Sequence, residues 1–277
     1  KGFMERTFDF ITDTCCGMPQ EYIEAHGVTV LPLGYTIAGE TYGGIEGKQL
    51  PPKEFYRLLR EGNVCHTFQV TAEQAKPSVE ASFKAGRDVV IVTFSSALSG
   101  TASSFTIAAN ELMEKYPARK AFIVDSLGGS LGEGMLLEYL VKKADAGASI
   151  EEVYAYGDWL RHRIAYLFTV DDLDCLRRGG RISGAVAVVG KLLKIKPLLH
   201  ANPKGLLMPI AKIVGRKRSL EALADEAAKR SDLSPEDPIY ISHGDCEEDA
   251  VKLAALMKER LGEHPTMINF VDPVMGA

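Results

Sequence analysis

The chain has 277 residues, 46% of them hydrophobic and 25% charged, with a formal net charge of −5. That length supports two domains, or one large one, around a proper core, while the acidic balance argues against general nucleic-acid binding, which needs a basic excess. No stretch approaches the ~20 apolar residues of a membrane span, no signal-peptide core opens the chain, and the five cysteines lack a C-x-x-C pair, so a cytoplasmic protein with reduced thiols is expected.

The first half alternates short apolar runs with amphipathic segments, as a mostly parallel α/β sheet requires. Phe8 to Thr12 reads as the first strand and Val28 to Leu33 as the second. Asp88 to Phe94 and Ala121 to Val124 are nearly all apolar, the pattern of strands buried on both faces. Between them, Phe105, Ala108, Leu112, Met113 and Tyr116 recur at helical spacing, with Thr101 as the expected N-cap. Ser130-x-x-Glu133 is expected to open a helix as a capping box, with Leu136, Leu137 and Leu140 on its buried side and Gly147 at its end. Ser149-x-x-Glu152 opens the next helix by the same pattern.

After Ile164 to Phe168 the character changes. A Gly- and Arg-rich turn, Arg177 to Arg181, leads into a small-residue helix near Ala185 to Leu193. Two extended segments, Ile195 to His200 and Leu206 to Val214, are joined by Asn202-Pro203-Lys204-Gly205, a good hairpin connection. A helix (Ser219 to Lys229), a strand (Ile239 to Ser242), a helix (Asp249 to Leu261) and a last strand (Met267 to Val271) complete the pattern. The expected architecture is two α/β domains, residues 1–160 with a mostly parallel sheet and residues 161–277 with a mixed or antiparallel one.

Ligands of open α/β sheets bind beyond the carboxyl ends of the strands. Three such ends carry hydroxyls and glycines before a helix: Thr12-Asp13-Thr14, Ser95-Ser96-Ala97-Leu98-Ser99-Gly100-Thr101, and Asp125-Ser126-Leu127-Gly128-Gly129-Ser130. Backbone N–H groups and helix dipoles there make a cradle for a carboxylate or phosphate. The same residues also serve as plain caps and turns. No G-x-S-x-G elbow is present, and Gly184 to Lys191 has the wrong spacing for a phosphate loop, with Leu192 where Mg²⁺ needs a hydroxyl. No metal ligand set or organic cofactor motif is evident. Asp171-Asp172 reads as an N-cap with its neighbour, and the basic runs Arg177-Arg178-x-x-Arg181 and Arg216-Lys217-Arg218 read as solvated faces or contacts for an acidic partner.

Five segments in register resemble the DegV family of bacterial proteins: FITDT at 10–14, SSALSGT at 95–101, IVDS at 123–126, DDLDCLRRGGRIS at 171–183 and IKPLL at 195–199. The resemblance spans almost the whole chain. It implies two α/β domains with a long-chain fatty acid between them. It also implies a non-catalytic role as lipid-binding subunit of a fatty-acid kinase whose ATP-binding protein is a separate chain. By the same resemblance the fatty-acid head group is expected at Thr67, Ser95 or more specifically Ser96, Gly100, Thr101, Asp125, Ser126 and Gly128. The acyl tunnel is expected along Ala185 to Gly190, and the partner contacts at Arg177, Arg178, Arg181, Arg216 and Arg218. This sequence departs from the family pattern at Phe68, where a serine is usual, and at Val214, where an arginine is common. The family pattern also continues beyond Ala277 with a histidine and a glycine-rich tail. Two other functions fit the residues alone: an acyl- or phosphoryl-transfer enzyme using the serine-rich loops, and a sensor of a small phosphorylated metabolite.

Overall fold

A computed structural model describes residues 6–45, 47–182 and 195–277. Strand β1 (Phe8–Asp13) leads through a 3-10 turn to helix α1 (Gln20–His26) and strand β2 (Thr29–Leu31). A small unit follows: β3 (Gly34–Ile37), β4 (Glu40–Gly43), α2 (Pro52–Arg60) and β5 (His66–Phe68). Then come α3 (Ala72–Lys84), β6 (Asp88–Thr93), α4 (Thr101–Lys115), β7 (Ala121–Asp125), α5 (Leu131–Asp145) and α6 (Ile150–Leu160). The remainder carries β8 (Leu167–Thr169), α7 (Asp174–Arg178), β9 (Ile195–Ala201), β10 (Leu207–Val214) and α8 (Arg216–Arg230). Strand β11 (Ile239–His243), α9 (Glu247–Leu261), β12 (Thr266–Phe270) and α10 (Pro273–Gly276) end it.

The main sheet is parallel, in the order β2-β1-β6-β7. Phe8, Phe10, Val90, Val92 and Val124 pack on one face with leucines of α5. Ile11, Val89 and Ile91 pack on the other with Phe83 of α3 and Phe105 of α4. Two covered faces explain why these strands read as unbroken apolar runs. The later strands form two sheets: β8-β9-β10, antiparallel, and β11-β12, a parallel pair. The expected α/β class holds, with the Asn202–Gly205 turn closing the β9–β10 hairpin as its residues require. The expected helix near Ala185 to Leu193 lies outside the described residues.

Sheet β4-β3-β5, antiparallel, has no counterpart among the elements expected from sequence. Its strands are three or four residues long, too short for a readable alternation. The stacked rings of Tyr35 and Tyr42, 5.6 Å apart, supply cross-strand packing instead.

The two Ser-x-x-Glu patterns behave differently. Ser149 and Glu152 form the reciprocal capping box at the start of α6. At the start of α5 no side-chain cap forms, because Ser130 stands at φ +55° and its hydroxyl donates to Ser242 of β11, 2.7 Å away. The Ser242 hydroxyl in turn accepts the N–H of Leu131, while Glu133 turns inward to Thr12. Thr101 is likewise not a cap: Gly100 holds that position, and Ser99 accepts the Thr101 N–H.

A double-mutant cycle separates these arrangements. Alanine at Ser130 and at Ser242 should show a coupling energy of about 0.5–1 kcal/mol in urea unfolding, whereas Ser130→Ala and Glu133→Gln should add independently. Ser149→Ala should cost about 1 kcal/mol by loss of a true cap. Coupling between Ser130 and Glu133 instead of Ser130 and Ser242 would restore the capping-box reading.

Candidate functional site at the strand ends

The carboxyl ends of β1, β6 and β7 meet at one edge of the sheet. Asp13, fully buried at the end of β1, accepts N–H bonds from Cys15 and from Phe94, both at 2.9 Å. It thereby ties the first strand-end turn to the loop that carries Ser95 and Ser96. Asp125, at the end of β7, accepts from the hydroxyl and the N–H of Ser96 and from the N–H of Leu127. That carboxylate organises the Ser96 turn. As a direct contact for an anionic head group it would be repulsive, so the geometry assigns it a supporting place.

The expected hydroxyls divide by exposure. Ser95 is buried and donates to Gly205 O at 3.0 Å. Ser126 is buried and donates to Gly128 O at 3.0 Å. Thr101 is buried with its hydroxyl 3.0 Å from that of Ser99. These three shape the loops. Ser96 is the exposed member, and beside it opens a cavity of about 290 Å³ whose walls include Ser103, Asp125, Asp158 and Arg161. Two carboxylates and one guanidinium share these walls with Ala102, Ile123 and Val124. Thr67, half-buried on β5, pairs with Tyr35 of β3. Two residues on, Gln69 packs so closely on Gly100 that a Cβ there would lie 2.1 Å from its Oε1. Its amide also reaches Ser104 of α4 at 3.3 Å. Gln69 thus joins the β5 edge to the start of α4, a role the sequence did not single out.

Each later strand-end loop is touched by the second half of the chain. Gly205, in the β9–β10 turn, lies on Ser95, and the side chain of Arg181 donates to Leu98 O at 3.2 Å. The phenol of Tyr166 donates to Ser126 O at 2.9 Å, its ring filling the space where a Gly128 Cβ would stand 2.1 Å away. The acyl-tunnel residues expected at 185–190 lie outside the described residues. Of the expected partner contacts, Arg177, Arg178, Arg181 and Arg218 are exposed. Arg216 is not a free surface cation: it pairs with Asp171 and with Asp249. Asp171, expected as a helix cap, instead joins Lys196 and Arg216. Among the described residues no group of three or more His, Cys, Asp or Glu side chains could hold a metal ion.

The family model matching residues 7–277 is described as an uncharacterised protein, DegV family. A DegV domain-containing protein of Clostridium perfringens is 38% identical over 98% of this chain and 94% of its own length. The chain belongs to the DegV family. A fatty-acid-binding DegV protein of Thermus thermophilus has the same fold, with a TM-score of 0.85, 27% identity and coverage of 98% of this chain and 95% of that one. So does the fatty acid kinase B3 protein of Streptococcus pneumoniae, loaded with linoleic acid, at a TM-score of 0.83 and 22% identity, covering 97% and 94%.

Where this DegV chain carries Phe68, the ring lies over Gly34 of β3, where a Cβ would meet it at 2.0 Å. Alternation along β5 turns Phe68 away from the face of Thr67, so the bulky residue leaves that face unchanged. Val214, the other departure from the DegV pattern, is exposed at the end of β10.

Acidic groups lie beneath the strand ends, Asp13 and Glu133 fully buried and Asp272 half-buried. Burial pushes Asp13 up to about 6, against the lowering effect of its two N–H donors. Burial also pushes Asp272, the N-cap of α10, up to about 7, with Asp13 adding to the shift. Glu133 is pushed well above the ordinary carboxylate range by burial and then by Asp13. In the unfolded chain Asp13 and Asp272 titrate near 3.8. The folded state therefore holds their protons more tightly. Their contribution to stability is fully present below pH 3.8 and is lost as pH rises through about 6 and 7. Urea unfolding should show stability falling from pH 5 to pH 8, by about 3 kcal/mol for Asp13 over its full titration. Asp13→Asn or Asp272→Asn should flatten the profile, and a profile that rises over this range would contradict the assignment.

Proposed function

We propose that this protein binds a long-chain fatty acid between its two halves, divided near residue 160, and presents the carboxylate to a separate fatty-acid kinase in the cytoplasm. The observation that carries this reading is the meeting of the Ser96 turn and the Ser126 turn with elements of the second half, in a chain whose DegV relative from Thermus thermophilus binds fatty acid. Thr67 and Ser96 are the head-group donors, with Gly100 and the N-terminus of α4 beside them. Asp125, Ser95, Ser126, Thr101 and Gly128 hold the surrounding loops.

Energetics suit such a ligand. Burying the ~14 methylenes of a sixteen-carbon acid gains roughly 11 kcal/mol at about 0.8 kcal/mol each. Association costs about 4–15 kcal/mol, so hydrogen bonds to a charged carboxylate, at about 1.5–3 kcal/mol each, decide both affinity and orientation. Native mass spectrometry of the purified protein should show a co-purified long-chain fatty acid. Thr67→Ala and Ser96→Ala should each weaken binding about tenfold or more with the fold intact. Unchanged affinity in both variants would move the head group elsewhere.

The kinase carries the phosphoryl chemistry, and this chain supplies the acceptor. Arg177, Arg178, Arg181 and Arg218 form the docking face, with Arg216 holding the scaffold beneath. Rim charges act through steering, so the interaction should weaken as salt rises. Purified protein, cognate kinase, ATP–Mg²⁺ and fatty acid should yield acyl phosphate only when all are present. Product formed without the kinase would make this chain the enzyme.

A further inference from the structure

The buried acids do more than burden the fold. Asp13 grips the Phe94 N–H directly before Ser95 and Ser96. Facing it are the thiols of Cys15 and Cys16 from the strand-end turn and the carboxyls of Glu133 from α5 and Asp272 from α10. Asp125 of β7 also raises Glu133, Glu133 raises the Tyr166 phenol, and Asp272 raises those of Tyr35 and Tyr56. Around β1, α3 and β6 place Ala75, Val79, Phe83, Val89 and Ile91, together with the buried hydroxyls of Ser82 and Thr93. No cation is among the groups that shift Asp13 or Asp272. Glu133 is 0% exposed, and while its Oε1 accepts from Thr12, its Oε2 has no hydrogen-bond partner among the described residues.

A negative charge at the Ser96 cavity has Arg161 beside it, along with Asp125 and Asp158, and the acids beneath add negative charge whenever they ionise. Neutral carboxyls tolerate that charge; ionised ones repel it. Linkage is reciprocal, so an anion that binds better to the protonated cluster draws protons into it. We propose that Asp13 is a positioning residue for the fatty-acid head group. Its carboxyl holds the Ser95–Ser96 turn, and with Asp272 and Glu133 it couples occupancy by a carboxylate to proton uptake. The proposal rests on the fatty-acid reading above. Delivery of the ligand would then be favoured where pH is higher, and capture where it is lower.

The test compares oleate with oleyl alcohol, which has the same chain and no charge, on the full chain at pH 5.5 and pH 8. The oleate Kd should rise about tenfold across this range. Oleyl alcohol should show no trend. Asp272→Asn keeps an acceptor for the Val274 N–H that Asp272 now binds, so it should fold, match the parent at pH 5.5, and show a smaller trend. Asp13→Asn should also show a smaller trend and in addition weaken oleate at pH 5.5, because an amide cannot accept both N–H bonds without placing its own NH₂ against one of them. Oleate's own titration is common to every variant, so differences between variants report the protein. A trend unchanged in both variants, or shared by oleyl alcohol, overturns the coupling. Absence of oleate binding at either pH overturns the fatty-acid reading, and this proposal with it.

Discussion

One carboxyl group accepting two main-chain N–H groups from two different loops sets the geometry of the whole sheet edge. Asp13 holds Cys15 on its own turn and Phe94 on the neighbouring one. Both donors sit where water does not reach, so neither could be left unpaired without a cost of about 1–3 kcal/mol. From Phe94 the chain turns through Ser95, whose hydroxyl is fixed by Gly205, to Ser96, whose hydroxyl and N–H are fixed by Asp125. The position of the one exposed serine on this turn is thus the end of a chain of hydrogen bonds that begins inside the sheet. The burial that makes Asp13 a firm anchor also makes it a reluctant ion, and the two properties cannot be separated.

Much of the first sheet was legible because its strands are covered on both faces and its helices are amphipathic at a clear period. The run from Asp88 to Thr93 and the helix from Thr101 to Lys115 fall where the pattern puts them. The region from Gly34 to Lys84 was not legible in the same way. Its strands are short, and its packing depends on Tyr35 stacking on Tyr42 across strands and meeting Phe55 of α2 edge-on, which spacing along the chain does not reveal. A sign was present in Thr71-x-x-Gln74, which forms a reciprocal capping box at the start of α3.

The two Ser-x-x-Glu patterns show where local reading stops. At Ser149 the surroundings are solvent, and the local bonds form. At Ser130 another strand supplies a better partner, and the helix start is closed by Ser242 from more than a hundred residues away. Once Ser130 is committed there, Glu133 is free to enter the interior, where it becomes the buried acid beside Thr12. A tertiary contact therefore decided both residues' roles, and nothing within four residues of either announced it. The same logic displaced Arg216 from the expected docking face, since Asp171 and Asp249 both claim it.

The strand-end hydroxyls looked equivalent in sequence because serine, threonine and glycine serve turns, caps and anion sites alike. Packing makes them unequal. Ser95 gives its hydroxyl proton to Gly205 O and Ser126 to Gly128 O, which also accepts the Ser95 N–H, and burial makes those bonds expensive to exchange. Ser96 gives its proton to a carboxylate at an exposed position, where an incoming carboxylate offers a bond of the same kind. Exchange there replaces one charge-assisted hydrogen bond with another, so it requires little free energy beyond the repulsion between the two anions. Any further negative charge beneath them would add to that repulsion, and the carboxyls of Asp13 and Glu133 lie there fully buried.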